Sequence, residues 1–316
     1  MPSSASLVSV VVPALNETLN LVPLYERLLA VFNALDQPWE LIVVDDGSTD
    51  DSAATLAALH VRDPRVSALL LTRSFGQDAA ISAGLKAARG NAVVVMDADG
   101  QDPPEVIPAL IDRWKAGNKI VAGRRARRVE HSAFKRACAF GFYRLMRAAV
   151  GWDYLLDSGE FRLMDRAVVD VLNACPQRNR LMRALSSWTG FSCATVEYTQ
   201  ERRMHGETKY SFRRSLRLAL TGLTAFSVAP LRIAVWLGIL TIAGSIIVSF
   251  PLLASPISNS PASWLAWGVL GLWLLGGVQC LLIGILGEYI WRGYLELQQR
   301  PLFIIEQTIG LDRGND

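Results

Sequence analysis

The chain has 316 residues, room for two domains with their own cores, and its 32 Lys and Arg against 29 Asp and Glu leave a net charge of +3, too mild to signal a nucleic-acid partner. Four cysteines (Cys138, Cys175, Cys193, Cys280) at wide spacings with no C-x-x-C pair exclude a disulfide or zinc framework, and three scattered histidines exclude a His-rich metal site. Mean hydropathy is high for a soluble chain at +0.26, and the apolar excess lies after Leu231.

From residue 7 to about 122, short β-branched runs alternate with helical patterns. The runs "LVSVVVP", "ELIVVD", "VSALLLT", "AVVVMD" and "KIVAG" read as strands. Glu17 to Leu35, Asp51 to Leu59, Gln77 to Arg89 and Pro104 to Ala116 read as helices between them. Strands apolar on both faces and separated by helices imply an α/β fold with a doubly wound, mostly parallel sheet. Ligands then belong at the carboxyl ends of the strands. The polar residues gather there: Pro13, Asn16 and Glu17 after the first strand, Asp45 and Asp46 before a Gly-Ser-Thr-Asp turn after the second, and "DADGQD" after the fourth. Ser48, Thr49 and Asp50 are expected to do no more than cap the following helix.

Residues 124–147 carry eight Arg or Lys against the single acid Glu130. Further on, "YSFRRSLRLALTGLTAFSVAPLR" places Phe212, Leu216, Leu220 and Leu223 on one helical stripe and Arg213, Arg214 and Arg217 on another, the pattern of a helix lying in a membrane interface. It leads into Ile233 to Leu253, twenty-one residues without a charge, and then Trp264 to Gly287, twenty-four more. At 1.5 Å per residue each is long enough for an apolar layer of about 30 Å. Two transmembrane helices are expected. The short loop between them is uncharged, while Arg232, Arg292 and Arg300 flank the outer ends, so both termini are expected in the cytoplasm. The only strongly polar side chain in the spans is Gln279, which speaks for an anchor rather than a channel. The expected organisation is a catalytic domain over 1–208, amphipathic helices over 209–230, a membrane domain over 231–290 and a cytoplasmic tail over 291–316. Gly271, Gly276, Gly277, Gly284 and Gly287 permit close helix packing within or between chains, so a homo-oligomer is allowed.

Asp97 and Asp99 are two apart, so on extended backbone their carboxylates leave the same face, and Gln101 continues the row. Like charges that close repel unless a cation lies between them. Oxygen ligands suit Mg²⁺ or Mn²⁺, and such a cation completes its shell with substrate phosphates. The pattern implies a metal-bound diphosphate substrate.

Seven motifs in order, "VVPALNE", "VVDDGSTD", "FGQDAAISAGL", "MDADGQDPPEVIP", "GEFRLMDR", "ERRMHGETKYS" and "LLIGILGEYIWRGYLELQQRP", span nearly the whole chain. Together they resemble the polyprenyl-phosphate glycosyltransferases of glycosyltransferase family two, the dolichol-phosphate-mannose-synthase-like group, with the nearest likeness to bacterial bactoprenol (undecaprenyl-phosphate) glucosyltransferases. The resemblance implies a GT-A catalytic domain at the bacterial inner membrane, passing a sugar with inversion from a nucleotide sugar, UDP-glucose in the first instance, to a polyprenyl phosphate. It implies that Pro13, Glu17 and Asp46 face base and ribose, with Asn16, Asp45, Gly76 and Gln77 beside them. It also implies that Asp97, Asp99 and Gln101 hold the metal. Gly100 stands where many relatives have leucine, and Glu160 where they often carry aspartate. Glu160 is the candidate base, with Asp157 or a purely orienting role as alternatives.

The acceptor is a phosphate monoester whose second pKa is about 6, so near neutral pH it needs positioning more than deprotonation. Arg124, Arg127, Arg162, Arg202 and Lys209 are expected to position it. A processive polysaccharide synthase would carry a Gln-x-x-Arg-Trp motif, absent here. A nucleotidyltransferase would need no lipid acceptor site, and a degenerate membrane adaptor would not keep acids at every strand end.

Overall fold

The computed structural model describes residues 6–125, 158–175, 182–201, 236, 240 and 261–311. By contacts the chain divides into two units, one of Met1–Tyr143, Trp152–Lys209 and Pro301–Asp316, the other of Arg144–Gly151 and Tyr210–Arg300.

The first unit is built on an eight-stranded sheet. Its elements run β1 (Val8–Ala14), α1 (Thr18–Leu35), β2 (Trp39–Asp45), α2 (Ser52–Arg62), β3 (Val66–Leu71), α3 (Gln77–Ala87), β4 (Ala92–Val95), a 3-10 turn (Pro104–Val106), α4 (Ile107–Lys115) and β5 (Ile120–Arg125). β6 (Ser158–Asp165), α5 (Arg166–Ala174), α6 (Met182–Trp188), β7 (Cys193–Tyr198) and, near the C-terminus, β8 (Ile305–Ile309) complete it. The five strands and four helices expected before residue 122 are all present, with ends within a few residues of those expected.

Those strands form because every second side chain enters one of two cores. Val8, Val10 and Val12 of β1, with Leu41 and Val43 of β2, pack against Leu24, Leu28 and Phe32 of α1 and Leu110 and Trp114 of α4. Val11, Ile42 and Val44 face the other way, toward Ile81 and Leu85 of α3 and Val168 and Leu172 of α5. A sheet covered on both faces needs strands that are apolar throughout, which is why no alternation shows in "VSVVV". At about 25 cal/mol per Å² of apolar surface, these two layers supply most of the driving force for folding.

The strand order is β7-β5-β6-β4-β1-β2-β3-β8. β1 pairs in parallel with both β2 and β4, and β2 with β3. Chain order reverses on the two sides of β1, so the crevice outside the carboxyl ends of β1 and β4 is the topological switch point.

Three strands lie outside those expected from the sequence. β6 runs antiparallel between β4 and β5, β7 adds to β5 in parallel, and β8 pairs antiparallel with the far edge of β3. Part of the segment expected as a cytoplasmic tail thus covers a sheet edge that would otherwise expose its backbone.

In the second unit the described element is α7, a helix over Pro261–Leu297, about 55 Å long at 1.5 Å per residue. It contains the whole second expected span. Among the described residues no helix is long and apolar enough to cross a membrane; those residues include only part of the α7 side chains. The first span, the interface helix and the basic segment beyond Arg125 fall outside the described residues, apart from Trp236 and Leu240.

Candidate active site

Four strand exits meet at the switch point, each held by a different local device. After β1, Asn16 takes a left-handed conformation with φ 57°, which asparagine tolerates. Its amide N–H donates to Ser48 Oγ at 2.8 Å and its Oδ1 accepts from Thr49 N–H at 2.8 Å. Glu17 accepts from the side-chain amide of Asn20 at 2.5 Å and takes Asn20 and Leu21 backbone amides at the start of α1. Pro13 lies in β1 opposite Val44. Ser48 and Thr49 therefore lock one exit loop to another.

The paired acids after β2 are both buried, and they do different things. Asp45 closes its own turn by accepting the backbone N–H of Ser48 at 3.1 Å and the Ser48 hydroxyl. Burial raises its pKa, and the Ser48 bonds oppose that rise. Asp46 reaches across to the loop before α3. It accepts from Ser74 Oγ at 2.7 Å, Phe75 N–H at 2.7 Å and Gly76 N–H at 3.0 Å. Asp46, expected to face base and ribose, holds the neighbouring loop through these bonds.

Gly47 explains how the two loops come so close. Its φ is +73°, and a Cβ there would lie 2.5 Å from the carbonyl carbon of Arg73 and 2.7 Å from Ser74 N. Gly47→Ala is expected to destabilise the fold by about 2 kcal/mol or more through strain and backbone overlap. It should also loosen the 73–76 loop, so donor KM is expected to rise several-fold; a thermal melt and a donor titration check both.

That loop delivers Gln77 to the acids. Gly76 has φ 99°, and Gln77 Nε2 donates to Asp97 Oδ1 at 2.7 Å. Asp97 and Asp99 follow β4, with Asp99 8% exposed and accepting the Gln101 backbone amide at 3.0 Å. Burial, then the charges of Asp102, Asp99 and Glu160, push the Asp97 carboxyl up to about 8, opposed by Arg125. The direction follows from burial and from negative charge that outweighs the one nearby guanidinium.

The donors present fit a hard divalent cation: carboxylate oxygens at one strand exit with a surplus of negative charge. Among the described residues no three His, Cys, Asp or Glu side chains are arranged to hold a metal ion; a cation on Asp97 and Asp99 would carry water in its remaining positions, part of which a substrate diphosphate would displace. Gln101 is turned elsewhere. Its Oε1 accepts from Gln200 Nε2 at 2.9 Å.

Glu160 and Arg162 are brought together on β6. Glu160 is half-buried, with Oε2 3.8 Å from Arg162 Nη2. Arg162, expected with the acceptor phosphate, lies inside the sheet at 2% exposure. It donates to Ser186 Oγ at 2.5 Å, to the Gly159 carbonyl at 2.8 Å and to the Glu160 carbonyl at 3.4 Å. Position on the middle of an antiparallel strand, between Val95 and Ala122, accounts for its burial. Arg124 is exposed beside Glu197 at 4.0 Å. Arg127, Asp157, Arg202 and Lys209 lie outside the described residues.

Asp102 of the acidic stretch, and Arg125, which the sequence did not single out, belong to the cluster. Asp102, fully buried, accepts the Tyr198 hydroxyl at 2.5 Å, and Arg125 Nη2 is 3.9 Å from the same oxygen. Asp102 stood in the acidic stretch, and Arg125 beside Arg124 in the basic run; only tertiary contacts set them apart from their neighbours.

Residues 9–172 match the profile of Glycosyl transferase family 2. The chain is 39% identical over 306 residues to the uncharacterized glycosyltransferase YkcC of Bacillus subtilis, covering 96% of this chain and 94% of that one. It is 36% identical over 303 residues to the prophage bactoprenol glucosyl transferase homolog of Escherichia coli K12, covering 95% and 99%. To the undecaprenyl-phosphate 4-deoxy-4-formamido-L-arabinose transferase of Proteus mirabilis it is 33% identical over 318 residues, covering 98% and 95%. With acids at the strand exits of a mostly parallel sheet and end-to-end similarity of this extent, the chain belongs to glycosyl transferase family 2 and is a glycosyltransferase.

Proposed function

We propose that this glycosyltransferase moves one sugar, glucose in the first instance, from UDP-glucose to undecaprenyl phosphate at the cytoplasmic face of a bacterial inner membrane. The observation that carries the reading is the convergence of Asp97, Asp99 and Gln77 at the switch point. Names of relatives that span the whole chain support a lipid-phosphate acceptor: bactoprenol glucosyl transferases and an undecaprenyl-phosphate arabinose transferase. Those names include different sugars on the same lipid phosphate.

Asp97 and Asp99 would hold Mg²⁺ or Mn²⁺, which when bound neutralises the charge that builds on a departing diphosphate. Gln77 orients Asp97, and Asp46 shapes the loop that delivers Gln77. Glu160, whose charge acts on Asp97, would orient the attacking oxygen. The acceptor phosphate, largely dianionic near pH 7, already carries its nucleophile, so a strong base is unnecessary. Inversion follows from a single displacement.

Membrane attachment by two crossings is part of the proposal. The sequence supports it: no Asp, Glu, Lys or Arg occurs in 233–253 or in 261–287. Among its described residues α7 adds exposed Leu272, Leu275, Leu281, Ile283, Leu286 and Ile290, apolar surface suited to lipid.

Full-length protein in lipid nanodiscs with Mn²⁺, undecaprenyl phosphate and a panel of labelled nucleotide sugars tests all of this. One sugar per lipid from UDP-glucose, lost on adding excess chelator, is the expected result. Transfer from a different donor alone would replace the sugar assignment, and a nucleoside retained in the lipid product would replace the reaction class.

A further inference from the structure

We propose that Tyr198 and Asp102 form a positioning pair that fixes the acid loop 97–102 in its donor-binding shape, so that the segment leaving β7 sets the affinity of the site. The inference rests on the metal and donor reading above and adds residues that the reading does not use.

The β5–β7 ladder ends where Arg125 pairs with Tyr198. Beyond it, the chain turns its polar groups onto the acid loop instead of continuing the ladder. The Tyr198 hydroxyl donates to Asp102 Oδ1 at 2.5 Å. Gln200 Nε2 donates to Gln101 Oε1 at 2.9 Å, and the Glu201 backbone amide donates to the Gln101 carbonyl at 3.1 Å. Glu201 then shares Arg27 with Glu105, at 3.0 and 2.6 Å. From Tyr198 to Glu201, contact after contact lands on residues 101–105.

Within this zipper Asp102 is out of place as a purely structural residue. It is 0% exposed, and among the described residues its Oδ2 has no hydrogen-bond partner. A buried carboxylate with one oxygen unpaired is costly to keep. An amide or a hydroxyl would satisfy the tyrosine as well. Asp102 is also near enough to Asp97 for its charge to rank first among those acting on that carboxyl. One oxygen is held by Tyr198, which sets where the carboxylate stands relative to Asp97 and Asp99. Outer groups that orient a metal ligand typically change affinity by about 10- to 100-fold when removed.

Tyr198→Phe removes the hydroxyl and keeps the ring that packs edge-on against Phe161, 5.4 Å between centroids. In full-length protein we expect Mn²⁺ affinity without donor, read from free Mn²⁺ by electron paramagnetic resonance, to weaken about tenfold. Donor KM should rise by a similar factor, with kcat within about threefold and only a small fall in melting temperature. Asp102→Asn, which keeps an acceptor for the hydroxyl, should recover part of the loss seen in Asp102→Ala. Wild-type Mn²⁺ affinity and donor KM in Tyr198→Phe, with only a lowered melting temperature, would make the pair merely structural and overturn the proposal. Wild-type donor binding in both Asp102→Ala and Asp102→Asn would overturn it as well. If wild-type protein itself binds no Mn²⁺, the metal reading falls, while donor KM in the variants still decides the positioning role.

Discussion

Asp99→Ala is expected to lower sugar transfer at saturating donor by about a thousandfold, with the domain still folded. A divalent ion contributes several kcal/mol to stabilising charge on a leaving diphosphate, and about 4 kcal/mol corresponds to that factor. Stability should hold because Asp99 stands among like charges. Asp102, Asp99 and Glu160 all act on Asp97 in this corner, with Arg125 the opposing charge. Removing one carboxylate relieves repulsion, so the melting temperature should stay level or rise. Asp99→Asn keeps the size and one oxygen, and should fall between wild type and alanine. The measurement is turnover at saturating UDP-glucose and Mn²⁺ alongside a thermal melt. Full turnover in Asp99→Ala, or in wild type under excess chelator, would remove the metal from the mechanism.

What could be seen in the sequence was the part of the fold whose code is local. β1 to β5 and α1 to α4 show themselves because strands buried on both faces are apolar throughout and the helices between them keep a 3.6-residue spacing. β6 hides because "SGEFRLMD" sets an arginine at its centre, and a buried Arg162 makes sense only once Ser186 and Gly159 are known to receive it. β7 has largely exposed and half-exposed side chains, and β8 is short and exposed on most of its length, so neither carries a strong apolar signal. The chemistry divides the same way. The D-x-D spacing points to Asp97 and Asp99 without a structure. The partners of Asp46 and Gln101 lie about thirty and a hundred residues away, beyond what spacing along the chain encodes.

Arg162 is where the two accounts of one residue give opposite results. As a grip for the acceptor phosphate, its loss would raise acceptor KM and leave stability alone. The structure sets it between β4 and β5 at 2% exposure, holding Gly159, Ser186 and the Glu160 backbone, with its Nη2 3.8 Å from the Glu160 carboxylate. Alanine there leaves a cavity, three acceptors short of a donor, and Glu160 without the guanidinium 3.8 Å from it. Removing one partner of a buried charged network costs about 3–5 kcal/mol. At roughly 2–4 °C per kcal/mol for a domain of this size, Arg162→Ala should lower the melting temperature by about 6–20 °C. Arg162→Lys should be only partly better, since an ammonium is a point donor and lacks the planar fork that reaches Ser186 and Gly159 together. Turnover per folded molecule should fall as well, because Glu160 loses the group that orients it. A melting temperature unchanged in Arg162→Ala, with acceptor KM raised, would return this arginine to the lipid phosphate.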